Sequence, residues 1–394
     1  MTREVVFVGA ARTAIGSFGG SLKDVPPADL GALVIKTALE RAGVQAKDVG
    51  HVVMGHVIPS VPQDAYISRV ASLNAGVPQE APAFNVNRLC GSGLQAVVSA
   101  AQSILLGDCD IAIGAGAESM SRGAYLVTSN RWGARMGDVK MLDYMLGALH
   151  DPRMHIHMGI TAENVAARYE ITREQQDAYA AESQARAAKA QAAGIFKEQI
   201  VPVEIKTRKG VVLFDTDEGV KADTTAEALS KMKPAFKKEE GTVTAGNAST
   251  LNDGAAAVVM ASADKAKELG LKPLARLVAY GHAGVEPEYM GIGPVPASKA
   301  ALAKAGLTVA DLDVIESNEA FAAQACAVSK EMGFPADKTN PNGSGISLGH
   351  PVGATGAILV TKAIYELQRI NGRYALITMC IGGGQGIALV IERV

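Results

Sequence analysis

Aromatic residues are scarce in this chain. Only 5% of its 394 residues are Phe, Tyr or Trp, with a single Trp, so ring packing cannot build the core. Ala, Val, Leu and Ile must do so, and the hydrophobic share is 48%. Charge of one sign is also missing. Lys and Arg number 38 against 40 Asp and Glu, a formal net charge of −2, which argues against a general nucleic-acid partner. Cysteine is sparse. Cys90, Cys109, Cys326 and Cys380 lie far apart, with no C-x2-C pair for a metal and no spacing that suggests a disulfide framework. No apolar run reads as long enough to span a membrane. Met1 to Glu4 lead straight into the strand-like Val5 to Val8, which leaves no room for a signal peptide. A cytoplasmic protein of roughly two or three domains is expected.

Glycine, by contrast, is plentiful at 42 residues, without a collagen period or a low-complexity tract. Many tight turns in an α/β protein follow. Asp29 to Ala42 carries Leu30, Leu33, Val34, Ala38 and Leu39 on one helical face, and Gly43 stops it. A turn then leads through Asp48 into a strand. Ser298 to Ala305, stopped by Gly306 and followed by Asp311, has the same form at an offset of 263 residues. Ile113 in Asp110 to Gly116 matches Ile377 in Tyr374 to Cys380 at 264. Two similar α/β units are therefore expected, with Cys90 and His350 at nearly equivalent places. Between them, Ser119 to about Asn247 differs in character. Thr161 to Gly194 reads as one long polar-faced helical region with Thr172 and Gln175 as a capping box, and charge-rich turns follow it. This is expected to be an inserted, surface-lying segment.

Three glycine-flanked segments could carry chemistry. In Asn87-Arg88-Leu89-Cys90-Gly91-Ser92-Gly93 a lone thiol precedes the apolar helix Leu94 to Leu106, which Gly107 closes. Free N–H groups and the positive end of that helix favour thiolate there. In Asn342 to Gly356, His350 stands between Gly349 and Pro351, out of any mid-helix core position. It is a base or a loop-packing residue. In Cys380-Ile381-Gly382-Gly383-Gly384-Gln385-Gly386, Cys380 ends a strand and is a functional thiol or ordinary core. Glycine amides beside it can serve as oxyanion donors. His157 beside His155 is a possible substrate contact, but no third ligand has metal spacing. His51, His56, His150 and His282 read as surface or satisfied histidines, and Cys109 and Cys326 as packing residues. No nucleotide-phosphate loop is present. The residues together suggest thiol-based acyl transfer, and a second thiol suits removal of an acidic C–H proton better than hydrolysis.

Along nearly its whole length the chain resembles the thiolase family. The resemblance rests on Asn87 to Gly93, on Asn318-Glu319-Ala320-Phe321, on Gly349-His350-Pro351 and on Cys380 to Gly386. It is nearest to the bacterial acetyl-CoA acetyltransferases, also called acetoacetyl-CoA or β-ketothiolases. It implies an α/β thiolase-like fold, two duplicated halves in five αβαβα layers. Residues 1–118 plus 248–272 would form the first half, 119–247 an inserted loop domain and 273–394 the second half. It implies that Cys90 is acylated with His350 as its base, and that the N–H groups of Cys90 and Gly382 hold the oxyanion. Cys380 would take the α-proton of acetyl-CoA, and His350 with a water on Asn318 would hold the enolate. Coenzyme A would meet Ser249, His157, Met158, Leu149, Lys221, Phe236, Met290, Ala320 and Phe321, as a substrate and not as a resident cofactor. No metal is implied. Lys221 stands where the family usually has Arg, and Thr250 where it usually has Gly. Tyr125 to Gly137 matches a tetramerisation loop, so a homotetramer is expected. A broad-chain 3-ketoacyl-CoA thiolase and a non-catalytic acyl-CoA binder stay open. A ketoacyl synthase would use two His where this chain offers His350 and Cys380.

Overall fold

The first half of the chain, in a computed structural model that describes residues 3–394, begins with β1 (Val5–Arg12), α1 (Pro27–Ala42), β2 (His51–Gly55) and β3 (Ala83–Val86). It continues through α2 (Ser92–Leu106) and β4 (Ile111–Ser119), then α3 (Met158–Tyr169) and α4 (Arg173–Ala192), and closes with β5 (Asn252–Ser262). The second half runs β6 (Ala275–Gly284), α5 (Pro294–Ala305), β7 (Val314–Ser317), α6 (Ala322–Met332), α7 (Thr355–Ile370), β8 (Tyr374–Ile381) and β9 (Gln385–Arg393).

The sheet order is β7-β8-β9-β6-β1-β5-β4-β2-β3. Read outward from the β6–β1 junction, the two sides repeat. β2 lies parallel to β4 as β7 does to β8, and β4 antiparallel to β5 as β8 to β9. Register sharpens the repeat. Val52 sits opposite Ile113, and Ile315 opposite Leu376, so both strands follow the 263 offset. The match of Ile113 to Ile377 at 264 is corrected by one residue. Side chains alternate across a strand, and a one-residue slip would send equivalent residues to opposite faces. A bulge recurs as well, between Phe7 and Gly9 on β1 and between Leu277 and Ala279 on β6. Residues 120–251 separate β4 from β5, whereas Gly382-Gly383-Gly384 alone separates β8 from β9.

Both faces of the strands are covered, which makes five layers. Val6 and Val8 face an outer cluster under α1, while Val5 and Phe7 face a central cluster that contains α2 and α7. On β8, Ile377 and Met379 join the central cluster, while Leu376 and Cys380 face a third cluster with α3, α5 and α6. Left-handed glycines close the helices where expected, with φ of 67° at Gly43, 86° at Gly107 and 68° at Gly306.

Two expectations need correction. Thr161 to Gly194 is not one helical region. Glu170 takes φ 56° and ends α3, and the Thr172–Gln175 capping box opens α4. A capping box marks a start, so it should have divided the segment. Span length by composition is also reached once among the described residues, over Leu89–Leu106. That window contains α2, enclosed in the central layer. A helix with most of its surface against protein can be as apolar as one in lipid.

The two central helices meet at their N-terminal ends through a glycine on each. A Cβ on Gly356 would lie 2.0 Å from Leu94 N, and one on Gly93 would lie 2.8 Å from Ala357 N. The 263 offset relates these glycines. Backbone blocks both positions, so Gly356→Ala must push the helices apart. The expected cost is about 1–3 kcal/mol, seen as a fall of several degrees in the thermal midpoint, with a loss of activity because both helix starts adjoin the site.

Candidate active site

Cys90 follows β3 through a strained turn. Leu89 holds φ 47°, a left-handed conformation that is costly for a branched side chain. Asn87 Oδ1 accepts the Leu89 N–H at 3.0 Å, and Ser92 Oγ accepts the Arg88 N–H at 2.8 Å. These bonds fix the turn and leave Cys90 just ahead of α2. The Cys90 residue keeps part of its surface open while its sulfur is enclosed. Burial pushes the thiol up, against the N–H groups of Gly382 and of Cys90 itself, which stabilise the thiolate; Glu118 also disfavours it. The expectation of a thiolate-favouring site is corrected accordingly: desolvation outweighs the donors.

Gly382 comes from the short link between β8 and β9. Cys380, two residues earlier, is fully buried, and its thiol is pushed well above the usual range by burial and then by the nearby Cys90. A Cβ added at Gly382 would meet Leu89 Cδ1 at 3.1 Å and Met158 Sδ at 3.4 Å. Those two side chains therefore wall the donor pair.

His350 is held from three sides. Its backbone N–H donates to Asn252 Oδ1 at 2.9 Å. Thr355, in the first turn of α7, donates its hydroxyl to Pro351 O at 2.9 Å and accepts from His350 Nδ1–H at 2.6 Å. That leaves the Nε2 lone pair as the acceptor, with Asn318 Nδ2–H donating to it at 3.4 Å. Burial lowers the imidazole to about 4, so it is a neutral acceptor at neutral pH. Asn318, just beyond β7, is fully enclosed, and its Oδ1 has no protein partner. Val352, two residues past His350, packs in one small apolar cluster with Leu89 and Cys90. The structure thus brings Cys90, Gly382, Cys380, His350 and Asn318 to one place from both halves.

A second group forms a wall beside it. His157 caps α3, accepting Gly159 N–H on Nδ1 at 3.0 Å. Its ring stacks on Phe236 at 4.7 Å and 18°, and Phe236 meets Phe321 edge-on at 6.1 Å. Burial, then His150, lowers His157 to about 4, so this wall is uncharged. Met158, Met290, Ala320 and Phe321 share one buried cluster with Cys380. Met158 N–H donates to Leu149 O at 2.9 Å, and Ser249 N–H to Ala320 O at 2.9 Å. Lys221 stands apart. It is exposed and tied only through its backbone, its N–H donating to Gln184 Oε1 at 2.7 Å and its carbonyl accepting Thr224 N–H at 3.2 Å. Thr250 donates its hydroxyl to Asn252 Oδ1 at 2.8 Å, the atom that also holds His350.

Thr355, Asn252 and Glu118 were not expected from the motifs. Thr355 lies five residues beyond His350 and could have been noticed as the first hydroxyl after it. Asn252 and Glu118 arrive from distant strands and left no local signal. Thr355→Val should lower kcat roughly ten- to a hundredfold with little change in KM, because the imidazole loses the acceptor that sets its tautomer. Steady-state kinetics and a thermal melt check this together.

A thiol with backbone donors, a second thiol beside it and a neutral imidazole fit an acyltransferase of the thiolase class. The Thiolase, N-terminal domain, model matches residues 5–264 and the Thiolase, C-terminal domain, model residues 271–393. The chain belongs to the thiolase family. It is 67% identical over 394 residues to Beta-ketothiolase BktB of Cupriavidus necator, with both chains covered in full. It is 53% identical to the acetyl-CoA acetyltransferase of Chromobacterium violaceum, covering 99% of this chain and 100% of that one. Human mitochondrial 3-ketoacyl-CoA thiolase superposes with a TM-score of 0.97 at 44% identity, covering 100% of this chain and 99% of the other. The acetyl-CoA acetyltransferase of Bacillus anthracis does so at 0.97 and 46%, with the same coverage.

Proposed function

We propose that this acyltransferase condenses two acetyl-CoA molecules to acetoacetyl-CoA and free CoA, and runs the reverse thiolysis of short 3-ketoacyl-CoA thioesters. The observation that carries the reading is the Gly382 N–H directed at the Cys90 sulfur, with Cys380 close enough for Cys90 to oppose its ionisation. His350 takes the Cys90 proton, and the sulfur attacks the acetyl thioester. The N–H groups of Cys90 and Gly382 hold the tetrahedral oxyanion, and CoA leaves with a proton. Cys380 gives its proton to the freed His350 and, as the thiolate, removes the α-proton of the second acetyl-CoA. His350, with a water on Asn318, holds the enolate oxygen; the unpartnered Asn318 Oδ1 supports that water. The enolate carbon attacks the acyl-Cys90 carbonyl and expels the sulfur, which takes the proton held by His350. Two half-reactions through one covalent intermediate predict ping-pong kinetics.

The stacked His157–Phe236 pair and the Met158–Met290 surface are suited to an uncharged pantetheine arm, with Ser249 and Leu149 at its sides. Lys221 is a point charge for a phosphate of CoA and lacks the flat stacking of Arg. Human mitochondrial 3-ketoacyl-CoA thiolase in complex with CoA superposes at a TM-score of 0.96 and 43% identity, covering 100% of this chain and 98% of that one, which supports CoA thioesters as substrates. Leu89 and Met158 crowd the donor pair, which favours a short acyl group. Rates with acetoacetyl-CoA should exceed those with a longer 3-ketoacyl-CoA; the opposite order would favour the broad-chain reading. Free thiols at all four cysteines suit a cytoplasm. The exposed Tyr125, Trp132 and Met136, at 58%, 91% and 100%, support a homotetramer formed through Tyr125 to Gly137. Light scattering of the wild type and of a Trp132→Asp, Met136→Asp variant checks it.

A further inference from the structure

Beneath Cys90 and His350 lies a carboxylate that the chemistry above does not use. Glu118, near the end of β4, is fully buried. It accepts the N–H groups of Val57 at 3.1 Å, Ile58 at 3.1 Å and Gly353 at 2.9 Å. It therefore ties the chain after β2 to the turn that follows His350, across the boundary between the two halves. By the 263 offset its counterpart is Ile381, which packs against Gly91. Only one copy of the repeat has a charge here.

A bare carboxylate at this place would oppose catalysis, since its field disfavours the Cys90 thiolate. His56 answers it. The ring is buried, with Nδ1 at 3.1 Å from Glu118 Oε1 and 2.9 Å from Ala117 O, and Nε2 at 3.8 Å from Asp64 Oδ2. Asp64 in turn accepts from Ser60 N, Ser60 Oγ and Val61 N. Both ring nitrogens face acceptors, which suits the doubly protonated ring. Burial alone would lower this histidine, yet Glu118, Ala117 O and Asp64 together carry it to about 9. Its expected place among surface or satisfied histidines is therefore refined: it is not at the surface, Nδ1 is held by Ala117 O and Glu118, and Nε2 faces the Asp64 carboxylate only at ion-pair distance, without a hydrogen bond.

We propose that His56 is a positioning residue whose imidazolium balances Glu118, so that this carboxylate can clasp the Gly353 turn under His350 without opposing ionisation of Cys90. The charged and titratable groups that face the couple are Asp64 on one side and Cys90 on the other, and its other hydrogen bonds go to backbone groups. The couple touches no reacting atom. It acts through the charge felt by one thiol and the position of one loop.

The proposal rests on Cys90 as the reactive thiol, but its test does not require acyl transfer. Full-length protein is treated with iodoacetamide across a pH series, and the rate at Cys90 is read from the mass of its peptide. His56→Gln should move the midpoint of Cys90 alkylation up by about one pH unit and lower kcat with KM little changed. Glu118→Gln should move it down. The double variant is the decisive one, because two neutral amides replace a buried ion pair, a change such sites tolerate better than loss of one partner. Its midpoint should match wild type, since the net charge at the site is unchanged. A double-variant midpoint well below that of wild type would mean that His56 is neutral in the native protein and does not balance Glu118, and would overturn the proposal even if neither single variant folds. A His56→Gln midpoint equal to wild type would overturn it as well. Failure of the acyl-transfer reading would instead appear as a Cys90 that alkylates normally but takes no acetyl group from acetyl-CoA.

Discussion

Cys380→Ser enzyme will take an acetyl group from acetyl-CoA onto Cys90 and stop there. The two half-reactions make different demands on the site. Acylation needs the Cys90 sulfur, a base and the two N–H donors, and none of these comes from the Cys380 side chain. Condensation needs an α-proton removed from a thioester, a far weaker acid than Cys90. Cys380 holds its proton unusually tightly, because burial and the neighbouring sulfur both oppose its thiolate. A strong conjugate base is what such a carbon acid requires. A serine hydroxyl is similar in size but far harder to ionise, and general-base loss of this kind costs roughly 10²–10⁴-fold. Condensation and thiolysis should fall by at least about a thousandfold, while the yield of acetyl-Cys90 remains near one per chain. A variant with wild-type turnover would remove the second thiol from the scheme.

His350→Ala should harm both halves. Cys90 is not preset as a thiolate, since burial outweighs its donors, so the first half depends on a nearby base. On the proposed mechanism, the neutral imidazole, with Nδ1–H committed to Thr355, is that base. In the second half the same ring, once protonated or hydrogen-bonded through Nε2, faces the enolate oxygen. The expected loss is about 10³-fold or more in kcat/KM, with acetyl-Cys90 forming slowly as well. The contrast between the variants is diagnostic: one accumulates acyl enzyme and the other does not.

The pH dependence follows from the same burial. His350 sits near 4, below its ordinary 6.5, so the free enzyme should keep its acylation rate down to about pH 5 and lose it as the ring protonates. Between 6.5 and 4 the unfolded chain binds a proton at this site that the folded chain does not, so stability falls as pH falls through that window. His56 has the opposite sign. Its folded value near 9 gives stability that is complete below about 6.5 and is lost as pH rises through 9. Together they place greatest stability near neutrality.

What the sequence made legible was local. Gly43, Gly107 and Gly306 end helices because only a residue without Cβ adopts the left-handed cap freely, and each stood one position past an apolar stripe. The Thr172–Gln175 box was likewise readable, although its meaning as a new start was overlooked. The repeat was visible because two helix-turn-strand units kept their spacing, but the exact offset needed strand register, which no single strand carries. The nucleophile and base stood out because glycines surrounded them. Their supports did not. Asn252 and Glu118 lie on strands whose sequence reads as ordinary core, and His56 looks unremarkable until β4 and the Asp64 turn close around it. Such contacts depend on tertiary pairing across more than fifty residues, and local pattern contains no trace of them.

One measurement bears on the central claim directly. Wild-type, Cys380→Ser and Cys90→Ala proteins are mixed with acetyl-CoA, quenched and digested, and the Cys90 region is weighed by mass spectrometry. Acetyl groups on that peptide in wild type and in Cys380→Ser, with none in Cys90→Ala and acetoacetyl-CoA from wild type alone, are the predicted result. An acetyl group found on Cys380 instead, or product formed without any acyl enzyme, would contradict it.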